Sequence, residues 1–93
     1  MLHFICMTDN VTIHCLFFGE SKAIVGVGEK AFTLPSNSTT IDFEKILLQE
    51  FPSLAKILPQ SIFSVNLEYI EKSKSVILKQ NDEIAVIPPL SGG

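Results

Sequence analysis

The chain has 93 residues, 46% of them hydrophobic and 18% charged, which suits one small folded domain and is too apolar for disorder. Seven Lys plus Arg against ten Asp plus Glu give a formal charge of −3, and all seven cations are lysines. With no Arg and no basic excess, the chain lacks the footprint of a nucleic-acid binder.

Residues 1–10 read as a ragged N-terminal segment, an apolar start running into Thr8-Asp9-Asn10. Val11 to Phe18 is rich in β-branched and aromatic residues and predicts a strand, with Ile13, Cys15 and Phe17 on one face and His14, Leu16 and Phe18 on the other. Gly19 to Gly28 reads as a connection with an apolar centre, Ala23-Ile24-Val25. Glu29 to Leu34 predicts a second strand that Pro35 ends, and a polar loop follows. Thr39 or Thr40 then suits a helix N-cap, and Asp42 and Glu44 place negative charge at the favourable end of the dipole. Phe43, Ile46, Leu47 and Phe51 recur as one helical stripe, which Pro52 stops.

Leu54, Ile57 and Leu58 predict a short turn beneath the sheet. Ser61 to Leu67 predicts a third strand and Val76 to Lys79 a short fourth. Gln80-Asn81-Asp82 is a turn in which Asn81 tolerates left-handed geometry. Ile84-Ala85-Val86-Ile87 is apolar on both faces, as a central strand covered on both sides should be. One main helix across a mixed sheet is the economical arrangement, an α+β β-grasp (ubiquitin-like) roll over 11–87, with 88–93 as an extended tail.

Internal chemistry is weak. Cys6 and Cys15 are too few for a disulfide scaffold, and His14 and Cys15 point to opposite faces, so with His3 they show no zinc spacing. Two histidines without an accompanying motif make no triad. Gly26-Val27-Gly28 precedes a strand and not a helix, so it reads as a turn and not as a phosphate cradle. Glu68, Glu71 and Glu83 read as surface charges. No apolar run approaches a membrane span, and the start lacks a basic n-region, so the expected compartment is the cytosol, where the sequons at Asn10 and Asn37 go unmodified.

The tail, Pro88-Pro89-Leu90-Ser91-Gly92-Gly93, has directional order. Prolines stiffen the exit from the central strand, and two glycines remove every Cβ, so the last atoms fit a channel too narrow for side chains. One reactive group is presented there, the α-carboxylate of Gly93.

Asp82-Glu83-Ile84-Ala85-Val86-Ile87-Pro88-Pro89-Leu90-Ser91-Gly92-Gly93 closely resembles the end of molybdopterin synthase small subunits, a family of ubiquitin-like sulfur carriers. Val65-Asn66 with Glu68-Tyr69-Ile70, Leu16-Phe17-Phe18 and Phe51-Pro52-Ser53-Leu54 are similar to further parts of that family, so the resemblance spans about Val11 to Gly93. The chain departs from it at Asn81, where members usually carry Gly, and at Lys22-Ala23, where they often carry Arg-Glu.

The resemblance implies that an activating enzyme consumes ATP to adenylate Gly93, that a persulfide displaces AMP to leave a thiocarboxylate, and that no cofactor is permanently bound. It implies that Pro88, Pro89, Leu90, Ser91 and Gly92 insert into a large catalytic subunit, where Gly93 gives its sulfur to precursor Z, the cyclic pyranopterin monophosphate. The small subunit is then no enzyme by itself, and it assembles as a heterotetramer of two small and two large subunits. Phe18 and Phe63, with Leu90, are the candidates for the partner interface, core packing being an equal expectation for Phe63. The alternatives are a carrier for thiamine or tRNA thiolation, a ubiquitin-like protein modifier, and a plain interaction module with an accidental tail.

Overall fold

The computed structural model describes residues 9–71 and 74–89. Five strands, β1 (Asn10–Phe17), β2 (Glu29–Pro35), β3 (Ile62–Val65), β4 (Glu68–Ile70) and β5 (Glu83–Ile87), form one sheet in the order β2-β1-β5-β3-β4. The central pair β1·β5 is parallel and the other three pairings are antiparallel, so the sheet is mixed. Helices α1 (Gly19–Val25) and α2 (Thr40–Glu50) complete the fold, with two short 3₁₀ turns at Pro52–Lys56 and Leu58–Gln60.

Strand alternation builds the core, and β1 turns inward the set that its sequence predicts. Ile13, Cys15 and Phe17 of β1, Phe32 and Leu34 of β2, Phe63 and Val65 of β3, and Ile84 and Val86 of β5 are all buried. Phe43 and Leu47 of α2, Leu54 and Leu58 of the 3₁₀ turns and Ile57 between those turns close over them. Phe43 meets Phe32 edge-to-face with ring centroids 5.0 Å apart, and Phe63 at 6.4 Å.

The start of α2 is a capping box. The Thr39 hydroxyl accepts from the Asp42 amide at 3.2 Å, and the Asp42 carboxylate accepts from the Thr39 amide at 3.0 Å and from its hydroxyl at 3.1 Å. The amide bond first, then the hydroxyl, hold the Asp42 carboxyl below the usual carboxylate range. A lowered folded pKa contributes stability that is fully present above the unfolded carboxylate value and is lost as pH falls through the folded one. Asp42→Asn should therefore show a smaller acid-side fall in Tm than the parent; thermal melts across that window check it, and parallel curves would refute the linkage.

Three segments depart from expectation. The connection after β1 contains helix α1, seven residues with no side-chain cap at Phe18. Its start is held instead by Ser21, whose hydroxyl and amide donate to the Phe18 carbonyl at 2.6 and 3.1 Å, and Gly26 ends it at φ 94°. The third strand ends at Val65, where Asn66 (φ 51°) and Leu67 (φ 74°) form a two-residue hairpin turn into β4, which is the true fourth strand. Left-handed geometry costs a residue such as leucine on the order of 1 kcal/mol.

Val76 to Lys79 makes only the bridge Thr39↔Ile77. It is drawn to the start of α2, where the Thr40 amide donates to the Val76 carbonyl at 2.9 Å and the Leu78 amide to the Ser38 carbonyl at 2.8 Å, while the Leu78 side chain enters the core. No helix among the described residues is long and apolar enough to cross a membrane.

Candidate functional site

The tail leaves from the middle of the sheet. Strand β5 lies between β1 and β3, and the Phe18 amide donates to the Val86 carbonyl at 3.4 Å as the ladder ends. Pro88 has no amide hydrogen with which to extend that ladder. Its ring is half-buried beside Gly19, with Cγ 3.6 Å from where a Cβ on that glycine would stand. Gly19 itself adopts φ 54°, the left-handed conformation that turns the chain from β1 into α1. Pro89 is exposed. Leu90, Ser91, Gly92 and Gly93, the other tail positions singled out in the sequence, lie outside the described residues.

Around this exit the outer sheet face is apolar. Leu16, Phe18, Ser64, Leu67, Tyr69, Ala85 and Ile87 line a shallow groove, with Glu83 as the one charged member among the described residues. Phe18 is 48% exposed, and the hairpin residues Leu67 and Tyr69 are 88% and 76% exposed. Phe63 is not part of the groove. It is 6% exposed and faces α2, because β3 turns Phe63 and Val65 inward and Ser64 outward.

Leu67 and Tyr69 are not among the interface candidates of the sequence, which ends the third strand at Leu67 and gives Glu68-Tyr69-Ile70 no strand of its own; the alternation of those three, with Ile70 packing on the core, is the signal for it. The two-sided apolar character of β5 also acquires a meaning. One face is covered by α2 and the 3₁₀ turns, whereas Ala85 and Ile87 on the other line the open groove.

Other chemistry is meagre. Cys15 is fully buried, and burial pushes its thiol far up, away from the reactive thiolate. No group of three or more His, Cys, Asp or Glu among the described residues could hold a metal ion. What the described residues offer is a largely apolar open groove beside the point where the chain leaves β5.

Residues 15–93 match the ThiS family. The chain is 39% identical over 83 residues to the molybdopterin synthase sulfur carrier subunit of Caenorhabditis elegans, covering 89% of this chain and 99% of that one. Among solved structures, a complex of subunits 1 and 2 of the molybdopterin-converting factor from Helicobacter pylori contains a chain with TM-score 0.61 and 28% identity, covering 89% of this chain and 100% of that one. The small archaeal modifier protein 1 of Methanosarcina acetivorans superposes with TM-score 0.75 at 20% identity, covering 90% and 98%; at that identity the likeness is one of fold.

Proposed function

This chain belongs to the ThiS family, and from that premise we propose that it is the sulfur carrier subunit of a molybdopterin synthase, in molybdenum cofactor biosynthesis. The observation that carries this reading is the match to a named carrier over 99% of that carrier's length, in a family match that runs on through Gly92-Gly93. The apolar face at the root of the tail supports it, since a carrier must dock reversibly on more than one protein.

The chemistry assigned to Gly93 follows from its carboxylate. A carboxylate is inert to sulfur nucleophiles, so an activating enzyme first joins it to the α-phosphate of ATP, with pyrophosphate leaving. The terminal sulfur of a persulfide then attacks the acyl carbon and AMP departs. A thiol next cleaves the resulting sulfur–sulfur bond, leaving a thiocarboxylate that is ionised at neutral pH and nucleophilic.

Within the large subunit, Pro88 to Gly92 provide reach and fit, and Gly93 presents its sulfur to the cyclic pyranopterin monophosphate. Holding the thioacid there replaces a high concentration of free sulfide. The dithiolene contains two sulfurs, so two carriers are consumed in turn, and a heterotetramer of two small and two large subunits suits that demand. The catalytic basic residues then belong to the large subunit, and the setting is the cytosol.

The test is reconstitution. Carrier with a verified thiocarboxylate, a large subunit and the pyranopterin substrate should yield molybdopterin, and no product from a large subunit active with another carrier would reject the assignment. A narrower test concerns Phe18. Phe18→Asp places a charge in the apolar groove and should weaken binding to the large subunit at least about tenfold. Its melting temperature should change little, because the ring is half exposed. Titration calorimetry and a thermal melt check both expectations.

A further inference from the structure

The β3–β4 turn puts an apolar side chain where the backbone disfavours one. Among the described residues, positive φ outside glycine occurs at Asn37, Asn66, Leu67 and Asn81. Asparagine tolerates this region through local polar bonds, whereas leucine does not, so Leu67 is the exception. Its side chain receives little packing in return, being 88% exposed.

The conformation is nevertheless firmly imposed. The Asn66 side-chain amide donates to Asp82 Oδ1 at 2.9 Å, and Asn66 Oδ1 accepts from the Glu83 amide at 3.0 Å. The Asn66 backbone amide donates to the Glu83 carbonyl at 2.8 Å, and Asp82 Oδ2 accepts from the Lys79 amide at 2.8 Å. The three Asn66 bonds tie the first residue of the hairpin turn to the start of β5, the strand that leads to the tail, and the Lys79 bond fixes the Asp82 carboxylate that Asn66 uses. Strain in a turn pinned at Asn66, on a side chain that is 88% exposed, points to a use outside the chain.

We propose that Leu67 is a preformed anchor by which the carrier grips the large subunit, seated in an apolar pocket of that partner. The inference rests on the reading of the chain as the carrier subunit. Leu67 lines the same groove as Leu16, Phe18, Ala85 and Ile87, and that groove is continuous with the Phe18–Val86 junction from which the tail departs. An apolar partner surface fits, because among the described residues Glu83 is the only charged one lining the groove. Tyr69, also exposed there, is of a type that commonly dominates interfaces. It lies within strand β4, however, and it is Leu67 that is held against its backbone preference. A side chain held by a locked turn also loses less freedom on docking than one on a mobile loop.

The experiment compares parent, Leu67→Asn and Leu67→Met chains for melting temperature and for Kd with the large subunit. Asparagine suits left-handed geometry and removes the anchor, so Leu67→Asn should melt no lower than the parent and bind at least about tenfold more weakly. Leu67→Met keeps a flexible apolar side chain and should bind within about threefold of the parent. Parent-like Kd for Leu67→Asn, with the parent itself binding, overturns the anchor and leaves the carrier reading intact. A clear fall in its melting temperature also overturns the proposal, since Leu67 would then serve its own fold. No binding by the parent overturns both.

Discussion

Deleting Gly93 should abolish sulfur transfer while leaving the domain folded. The loss of one residue shortens an extended tail by about 3.5 Å. A misplacement of about 1 Å in a positioned reaction already costs on the order of a hundredfold. The remaining carboxylate, on Gly92, would stop short of both the activating centre and the pterin. Among the described residues the core ends with Val86, and Pro89, the last of them, is exposed, so the deletion is expected to leave the melting curve parent-like. The expected result is a parent-like melting curve with transfer at least a hundredfold slower, read by molybdopterin formation. Unchanged transfer would show that the sulfur travels by another group. Gly93→Ala is a gentler probe of the same idea, restoring the length but adding the Cβ that a narrow channel rejects.

The largest expected effect on stability lies at Phe43. Its ring is fully buried between α2 and the sheet, in edge contact with Phe32 and tilted against Phe63. Phe43→Ala removes that contact and leaves a cavity, a change that costs about 3–5 kcal/mol in a well-packed core. Small domains have only about 5–15 kcal/mol in total. Denaturant titration should therefore show a large fall in midpoint, with partial unfolding at room temperature at the stronger end. A loss below about 1 kcal/mol would mean that the helix does not rest on this ring.

Much of the fold was legible because its parts obey simple periods. The inward set of β1, the apolar run of β5 and the Thr39–Asp42 cap follow from two-residue alternation and from capping chemistry. What escaped did so for identifiable reasons. Helix α1 has seven residues and no capping side chain at its start, and only Gly26 at its end announced it. The β3–β4 hairpin lacks the glycine that normally marks such a turn, since Leu67 occupies that position. Val76 to Lys79 is β-branched enough to look like a strand, yet Val76 and Leu78 bond to the head of α2.

The site shows the same division. Phe18 is where the alternation of β1 puts it, whereas Phe63 belongs to the core. The parity of a short strand flanked by apolar residues on both faces is not fixed by sequence alone. Recognising β4 would have revealed Tyr69, but Leu67 required the backbone conformation itself.

The most direct measurement is the mass of the C-terminal peptide after incubation with an activating enzyme, ATP and a sulfur source. Exchange of oxygen for sulfur adds about 16 Da, which methionine oxidation also adds, so the gain must be located by fragmentation. The account predicts that the added mass resides on Gly93 and disappears when the large subunit and the pterin are supplied. An unmodified Gly93, from an activating enzyme shown to work on another carrier, would contradict it.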